Sequence, residues 1–234
     1  MFRFKQFSVD QSGCAMKINT DGVLLGAVIE SEKPASVLDI GTGTGVIALM
    51  TAQQFPESKI DAVEIDEAAA QTAERNFKGS PFADRLGVYP MSFESYFNEF
   101  PDKKYDLIIS NPPFYIGSLK SPTANKTLAK HSDDDFFKRL VRTTGLHLTA
   151  NGCCWMILPL DTAELVAGLI ISHHMHLQRT VDVYSYPNSQ AHRKIIKFGF
   201  DRHEPVTTKL IIYETAGVYS EAYEKLLQPY FINF

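Results

Sequence analysis

Short β-rich runs alternate with helical stretches through the middle of the chain, and this alternation constrains the fold more than any other feature. The predicted strands are 36–40, 59–65, 85–89, 105–110 and 153–158, and the predicted helices are 46–53, 67–77, 133–148 and 162–172. Asp66 is expected to cap the second of these helices, because its carboxylate can accept first-turn amides. Strands separated by helices form parallel βαβ units with right-handed crossovers. The pattern therefore predicts an α/β fold with helices on both faces of a mostly parallel sheet.

The alternation of strands and helices ends in the last quarter of the chain. Residues 178–186, 192–201 and 209–213 are strand-like with no helix between them, and 219–228 is predicted as a short helix. An antiparallel portion is therefore expected to close the sheet. We predict one globular unit, in which residues 1–35 form an N-terminal extension on the main domain, 36–234.

Size and composition bound the class of protein. A chain of 234 residues, 44% hydrophobic and 21% charged, suits one full α/β domain. It contains no apolar run of the ~20 residues that a membrane helix needs, and no apolar stretch follows Arg3 and Lys5 as in a signal peptide. The cysteines, Cys14, Cys153 and Cys154, are odd in number and form no disulfide framework. These features predict a cytoplasmic protein with no membrane partner. We expect a monomer, although the sequence does not determine the oligomeric state.

The distribution of charge decides whether a nucleic acid can be the partner. The net charge of −4 argues against one, but two stretches, 115–131 and 185–200, each hold three cations and no carboxylate. The cations are Lys120, Lys126, Lys130, Arg193, Lys194 and Lys197. Such local basic surface can bind a phosphate backbone on a protein that is acidic as a whole, although ordinary solvated loops have the same composition.

A glycine-rich loop, Asp39-Ile-Gly-Thr-Gly-Thr-Gly45, joins the first predicted strand to its helix. Glycines allow a tight turn and a close approach of ligand to backbone, and the carboxyl end of such a strand is where doubly wound sheets bind nucleotides. A dinucleotide site would need glycine at position 46, which is Val46. The spacing of Gly41, Gly43 and Gly45 fits S-adenosylmethionine, which has no pyrophosphate, and Asp39 can support the loop or attract the ammonium group of the ligand. A generic turn is the alternative.

An acidic residue ends the second predicted strand. Glu64 follows the apolar Ala62 and Val63, and Ile65 follows it. A carboxylate at this place can accept both ribose hydroxyls of an adenosine. We therefore predict Glu64 and Ile65 in the cofactor site, with a surface glutamate as the alternative.

The motif Asn111-Pro112-Pro113-Phe114 follows the fourth predicted strand. It resembles the signature of methyltransferases that act on planar amino or amide nitrogens, whose lone pair is delocalised. The Asn111 side-chain oxygen and the Pro112 carbonyl can accept the two N–H bonds and direct the lone pair toward a methyl donor. The prolines fix the loop, and Phe114 offers a stacking face for a base. A structural Pro-Pro turn is the alternative.

The glycine loop and the strand-end acid together resemble the class I methyltransferase fold, a Rossmann-like sheet of seven strands with antiparallel final strands. The N-terminal Phe2-Arg3-Phe4-Lys5-Gln6-Phe7, Cys14-Ala15-Met16-Lys17 and Thr20-Asp21-Gly22-Val23-Leu24-Leu25-Gly26 are similar to the bacterial tRNA1(Val) adenine-N6 methyltransferase family. Ala129-Lys130-His131, Ala191-His192-Arg193 and the C-terminal tail extend this resemblance to nearly the whole chain.

The resemblance implies a tRNA substrate, modified at adenine 37, with S-adenosylmethionine as the methyl donor. It implies that residues 1–35 fold over the methionine end of the cofactor, near Thr20 and Asp21. The residues implied toward the RNA are Lys17, Lys130, His131, Arg193 and Lys197. Ser92-Phe93 stand where many such enzymes have an acid that contacts the adenine amine of the cofactor, so a hydroxyl would accept there.

Three other functions share some of these features. A glutamine-N5 methyltransferase of release factors would have a helical domain before the glycine loop, and a ribosomal-RNA guanine-N2 methyltransferase usually has a duplicated domain. A non-catalytic module that binds S-adenosylmethionine or RNA would be free to lose Asn111, Pro112 and Phe114. His173, His174 and His176 lack a carboxylate or cysteine at ligand spacing, so we predict a solvated turn and no metal.

Overall fold

The computed structural model describes residues 1–14, 16–113 and 126–234, with the backbone alone for 126–133. The strands are β1 Phe2–Arg3, β2 Ser8–Val9, β3 Ser36–Ile40, β4 Lys59–Val63, β5 Leu86–Tyr89, β6 Tyr105–Ser110, β7 Leu148–Leu158, β8 His176–Tyr184, β9 Ala191–Gly199, β10 Val206–Ile211, β11 Tyr213–Thr215 and β12 Val218–Tyr219. The helices are α1 Thr20–Val28, α2 Val46–Gln54, α3 Glu67–Lys78, α4 Phe93–Glu99, α5 Lys126–His147, α6 Leu160–Ser172 and α7 Glu221–Leu227, with a short 3-10 turn at Ala83–Arg85.

Eight strands form the central sheet, in the order β10-β8-β9-β7-β6-β3-β4-β5. β9 pairs antiparallel with both β7 and β8, and the other adjacent pairs, from β10–β8 to β4–β5, are parallel. The predicted α/β class and the antiparallel pairing near the end of the chain are confirmed, but the sheet has eight strands rather than the predicted seven. The chain crosses from β9 over β8 to add β10 as an eighth strand. Among the described strands of this sheet, β9 alone runs opposite to the others.

Several predicted element boundaries shift by a few residues. The predicted cap is confirmed, because the Asp66 side chain accepts from the amide of Ala69 at the start of α3. β4 ends at Val63 rather than at position 65, which leaves Glu64 and Ile65 beyond the ladder. β7 begins five residues earlier than predicted, and α1 and α4 are helices that the periodicity did not indicate.

Two apolar layers enclose the sheet. One face, with Leu107 and Trp155, packs against α1, α2 and α7, and the other, with Ile108 and Met156, packs against α4, α5 and α6. Phe4 and Phe7 of the N-terminal segment are buried in the first layer and stack with ring centroids 4.5 Å apart. The N-terminal segment therefore shares a core with the sheet. Within the described residues, no helix is both long and apolar enough to span a membrane.

Candidate functional site

The glycine loop lies between β3 and α2, at the carboxyl edge of the sheet. Gly41, Gly43 and Gly45 have φ angles of 75°, 57° and 82°, which favour glycine. A Cβ on Gly45 would lie 2.5 Å from a Phe77 ring carbon, whereas a Cβ on Gly41 or Gly43 would meet no atom within 4 Å. Gly45 thus allows the loop to pack on α3, while Gly41 and Gly43 present bare backbone to open space where a ligand can approach.

Asp39, in the strand that leads into this loop, lies beneath the loop and is fully buried. Its Oδ2 accepts a hydrogen bond from the Thr42 hydroxyl at 2.6 Å, and its Oδ1 is buried with no hydrogen-bond partner among the described residues. Burial raises the pKa of Asp39 to about 7. A carboxyl group with one uncompensated oxygen beneath the loop favours a cation above it.

Glu64 connects the glycine loop to the start of α3. Its Oε2 accepts from the amide of Gly43 and its Oε1 from the amide of Asp66, each at 2.9 Å. Each oxygen has a second lone pair, so the carboxylate can also accept two hydroxyl groups of a ligand. Next to it, Ile65 is 76% exposed, which leaves an apolar side chain at the open edge of the sheet.

Asn111, Pro112 and Pro113 follow β6, the strand next to β3, so they lie beside the glycine loop. The hydroxyl of Ser110 donates to the carbonyl of Ile40 at 2.9 Å and joins the two strand ends. Pro112 is buried and Asn111 is half-buried. A Cβ on Gly22 would lie 3.8 Å from Asn111 Nδ2, so the start of α1 forms one wall around Asn111. Phe114 lies outside the described residues.

Two polar residues of α3, which the motifs did not indicate, hold the N-terminal segment against the loop. Asn76 accepts from the amide of Asp10 at 2.8 Å and donates to the carbonyls of Asp10 and Thr44 at 2.9 and 2.8 Å. The hydroxyl of Thr72 donates to the carbonyl of Ser12 at 2.7 Å. Thr72 and Asn76 are four residues apart on the buried face of α3. Polar side chains in that otherwise apolar stripe were the available signal.

Asp21 and Arg193 form an ion pair, although the resemblance implied different ligands for them. Asp21 lies in the first turn of α1, and Arg193 Nε donates to its Oδ2 at 2.7 Å. Thr20, the first residue of α1, is exposed, and so is Lys17 before it. The structure therefore brings Asp21 and Arg193 together at the edge that carries Asn111.

Lys197 does not lie with Arg193. It is four residues further along β9, about 13 Å at the usual strand rise, and lines a cavity of about 600 Å³ with Asp106 and Cys153. Asp106 lies near the amino end of β6, so this cavity is at the opposite end of the sheet from the glycine loop. The implied grouping of Lys197 with Arg193 is therefore not found, and an RNA contact by Lys197 stays a prediction.

Ser92 and Phe93 form the start of α4. The Ser92 hydroxyl oxygen accepts from the amide of Ser95 at 3.1 Å as the helix cap, and Phe93 is buried in the core. The oxygen expected to contact the cofactor is thus used within the helix, and that contact stays a prediction. Lys130 and His131 lie in the part of α5 with backbone alone described. In the described part of the chain, no group of three or more His, Cys, Asp or Glu is placed to hold a metal, including the turn at His173, His174 and His176.

Comparisons with known proteins agree with this geometry. A family model described as the methyltransferase small domain matches residues 14–160. A tRNA1(Val) (adenine(37)-N6)-methyltransferase of Pedobacter heparinus is 44% identical, over 100% of this chain and 98% of its own, and one of Bacteroides thetaiotaomicron is 37% identical, over 99% and 97%.

Two solved structures share the fold. A predicted O-methyltransferase from Agrobacterium tumefaciens has a TM-score of 0.66 at 17% identity, covering 90% of this chain and 96% of its own. A ribosomal protein L11 methylase from Lactobacillus delbrueckii subsp. bulgaricus has a TM-score of 0.55 at 15% identity, covering 77% and 78%. At these identities the likeness concerns the fold alone, and it confirms the predicted Rossmann-like class.

Proposed function

This chain belongs to the methyltransferase small domain family and to the tRNA1(Val) (adenine(37)-N6)-methyltransferases, and from that premise we propose that it methylates N6 of adenine 37 in tRNA1(Val), with S-adenosylmethionine as donor. The observation that carries the proposal is the position of Asn111-Pro112-Pro113. These residues follow β6 beside the glycine loop, where an amine held by Asn111 would face a ligand on the loop.

The residues at the loop fit S-adenosylmethionine by their chemistry. Gly41 and Gly43 leave space that any side chain would fill, and the buried Asp39 carboxyl favours a cationic ligand. Glu64 retains acceptor capacity for ribose hydroxyls, and Ile65 offers apolar surface for an adenine ring. Bound S-adenosylmethionine supplies an electrophilic methyl group on a positively charged sulfonium.

Asn111 and Pro112 would prepare the target amine. The Asn111 side-chain oxygen and the Pro112 carbonyl oxygen each accept one N–H of the N6 amine, which favours a pyramidal nitrogen with its lone pair directed outward. The buried Pro112 has a fixed φ, so its carbonyl keeps one direction. The nitrogen lone pair would form the bond to the methyl carbon as the methyl–sulfur bond breaks with its electron pair left on sulfur, and the nitrogen would then release one proton to solvent.

The RNA must present an unstacked base to this site. Extrusion of a base costs a few kcal/mol, which phosphate contacts can offset. Lys17 is exposed just before α1 and can make such a contact at the edge that carries Asn111. Lys130 and His131 are further candidates at the start of α5.

A substrate comparison tests the proposed function. Purified protein is incubated with labelled S-adenosylmethionine and either a tRNA1(Val) transcript, the same transcript with guanine at position 37, or a release factor. We expect label on the first substrate alone, recovered as N6-methyladenosine after nucleoside digestion. Label on the guanine-37 transcript would place the target elsewhere, and label on release-factor glutamine would reject the proposal.

A further inference from the structure

The Asp21–Arg193 ion pair links α1 to β9 across 172 residues of sequence. Besides the 2.7 Å bond from Arg193 Nε to Asp21 Oδ2, Arg193 Nη1 donates to the carbonyl of His192 at 2.8 Å. The two side chains are 14% and 27% exposed, so both charges are largely removed from water. Loss of Arg193 would leave the partly buried Asp21 carboxylate without this ion-pair partner, and loss of Asp21 would remove the bond that ties Arg193 to α1.

The pair acts on the part of α1 nearest to Asn111. The later residues of α1, such as Leu24 and Leu25, are fully buried and fix that part of the helix by packing. The first turn is polar and is held by the Asn19 cap, whose Oδ1 accepts from the Gly22 amide at 2.9 Å, and by the ion pair. Because Gly22 faces Asn111, a shift of this turn would change the wall beside Asn111.

We propose that Arg193 is a positioning residue for methyl transfer, which through Asp21 fixes the first turn of α1 against Asn111. The inference rests on the proposed role of Asn111. A positioning role of Arg193 differs from an RNA-phosphate contact in a testable way. A phosphate requires only a cation at this position, whereas the Asp21 bond requires the guanidinium Nε with its fixed geometry.

The test uses Arg193→Lys, Arg193→Gln, Asp21→Asn and the double variant Asp21→Asn/Arg193→Gln. We expect each single change to lower the single-turnover methylation rate about 10- to 100-fold, because misplacement of about 1 Å at a reacting centre costs about 100-fold. The double variant should be no slower than the slower single variant, since the two residues act as one unit. The salt dependence of tRNA binding should not change.

Asp182→Asn is the matched control. It breaks the Lys194–Asp182 pair, 3.1 Å long with side chains 31% and 19% exposed, which joins β9 to β8. Its methylation rate should stay within about twofold of wild type. Thermal melting identifies variants that do not fold, and in that case Arg193→Lys and Asp21→Asn carry the test.

Three results would overturn the inference: an Arg193→Lys rate equal to wild type, additive effects in the double variant, or a salt slope lowered by about one unit in Arg193→Gln. If the wild type transfers no methyl group to tRNA, the proposed function fails. The same cycle on the calorimetric affinity for S-adenosylmethionine then decides, with non-additive losses supporting the coupling and additive losses overturning it.

Discussion

Two aspartates on neighbouring strands, Asp39 on β3 and Asp61 on β4, are surrounded very differently. Asp61 Oδ2 accepts from Lys103 Nζ at 2.7 Å, from the Tyr105 hydroxyl at 2.7 Å and from the Tyr96 hydroxyl at 3.0 Å. Burial alone would raise the pKa of Asp61, but the hydrogen bonds from Lys103 and Tyr105 outweigh it and hold the pKa below its usual value. This network lies away from the carboxyl edge and is satisfied within the protein.

Asp39 has fewer hydrogen-bond partners than Asp61, and its pKa shifts in the opposite direction. Its pKa is raised to about 7 by burial, and one carboxylate oxygen has no partner among the described residues. A satisfied polar network stabilises one packing arrangement, whereas an incompletely satisfied group at an open edge keeps interaction energy available for a ligand. The comparison implies that changes at the carboxyl edge affect function and that changes around Asp61 affect stability.

The largest effect is expected at the carboxyl edge. Asn111→Ala should lower the rate of methyl transfer about 100- to 1,000-fold, because one of two acceptors for the target amine is lost. Affinity for S-adenosylmethionine and the melting temperature should stay close to wild type. Single-turnover kinetics and calorimetry measure the two quantities, with Asn151→Ala, an exposed asparagine of β7, as the control. Equal rates for the two variants would remove the catalytic role of Asn111.

Around Asp61 we expect the opposite result: a loss of stability with no change in the methylation rate. Asp61→Asn should lower the free energy of unfolding by about 2–3 kcal/mol, since it leaves Lys103 without its carboxylate partner. The value is below that of a fully buried pair because the Lys103 side chain is 36% exposed. Urea denaturation measures the change, and the methylation rate per folded molecule should not change. Tyr89→Phe, whose hydroxyl lies 3.4 Å from the other Asp61 oxygen, should cost under about 0.5 kcal/mol.

The sequence predicts well those features that depend on local pattern. The bounds of β3 and β6 and the Asp66 cap are confirmed, since apolar runs and capping residues act over a few positions. The strand-end position of Asn111 follows from the same local reasoning. These features suffice to place the glycine loop and the Asn-Pro-Pro motif at one edge of a parallel sheet.

Contacts between distant segments could not be predicted in the same way. The Asp21–Arg193 pair depends on where α1 lies relative to β9, and the Asn76 bonds depend on the path of residues 10–14 over α3. The polar Asn76 in the apolar stripe of α3 signals a buried contact, but no pattern in the sequence tells which segment either contact reaches. The separation of Lys197 from Arg193 also needs the strand direction, because position on a strand decides which end of the sheet a residue reaches.

Asp39 should have a smaller effect, on folding stability and on ligand affinity, and this effect depends on pH. Its raised pKa means that the folded protein keeps a proton that the unfolded chain releases. This stabilising contribution to folding is complete below about pH 4 and is lost as pH rises through about 7.

Ligand affinity should depend on pH through the same group, because a cationic ligand favours the ionised Asp39 carboxylate. If binding lowers the pKa of Asp39 by about one unit, affinity for S-adenosylmethionine rises about fivefold between pH 6 and 8. Calorimetry across this range should show the rise in wild type and its loss in Asp39→Asn, and parallel curves would contradict this role of Asp39.

The smallest effects separate two cations that the family resemblance implied toward the RNA. Lys17 is exposed just before α1. Lys197 is half-buried, lines the cavity at the other end of the sheet and has its ammonium 5.9 Å from the centre of the Trp155 ring. Lys17→Ala should lower the slope of log affinity for tRNA against log salt by about one unit, as expected for one lost phosphate contact. Lys197→Ala should leave the slope unchanged, because its ammonium lies against the Trp155 ring in a cavity away from Asn111. Fluorescence anisotropy with labelled tRNA1(Val) at several salt concentrations measures both slopes. A lower slope for Lys197→Ala with none for Lys17→Ala would move the RNA to the opposite end of the sheet, and the assignment of the carboxyl edge as the substrate face would then be wrong.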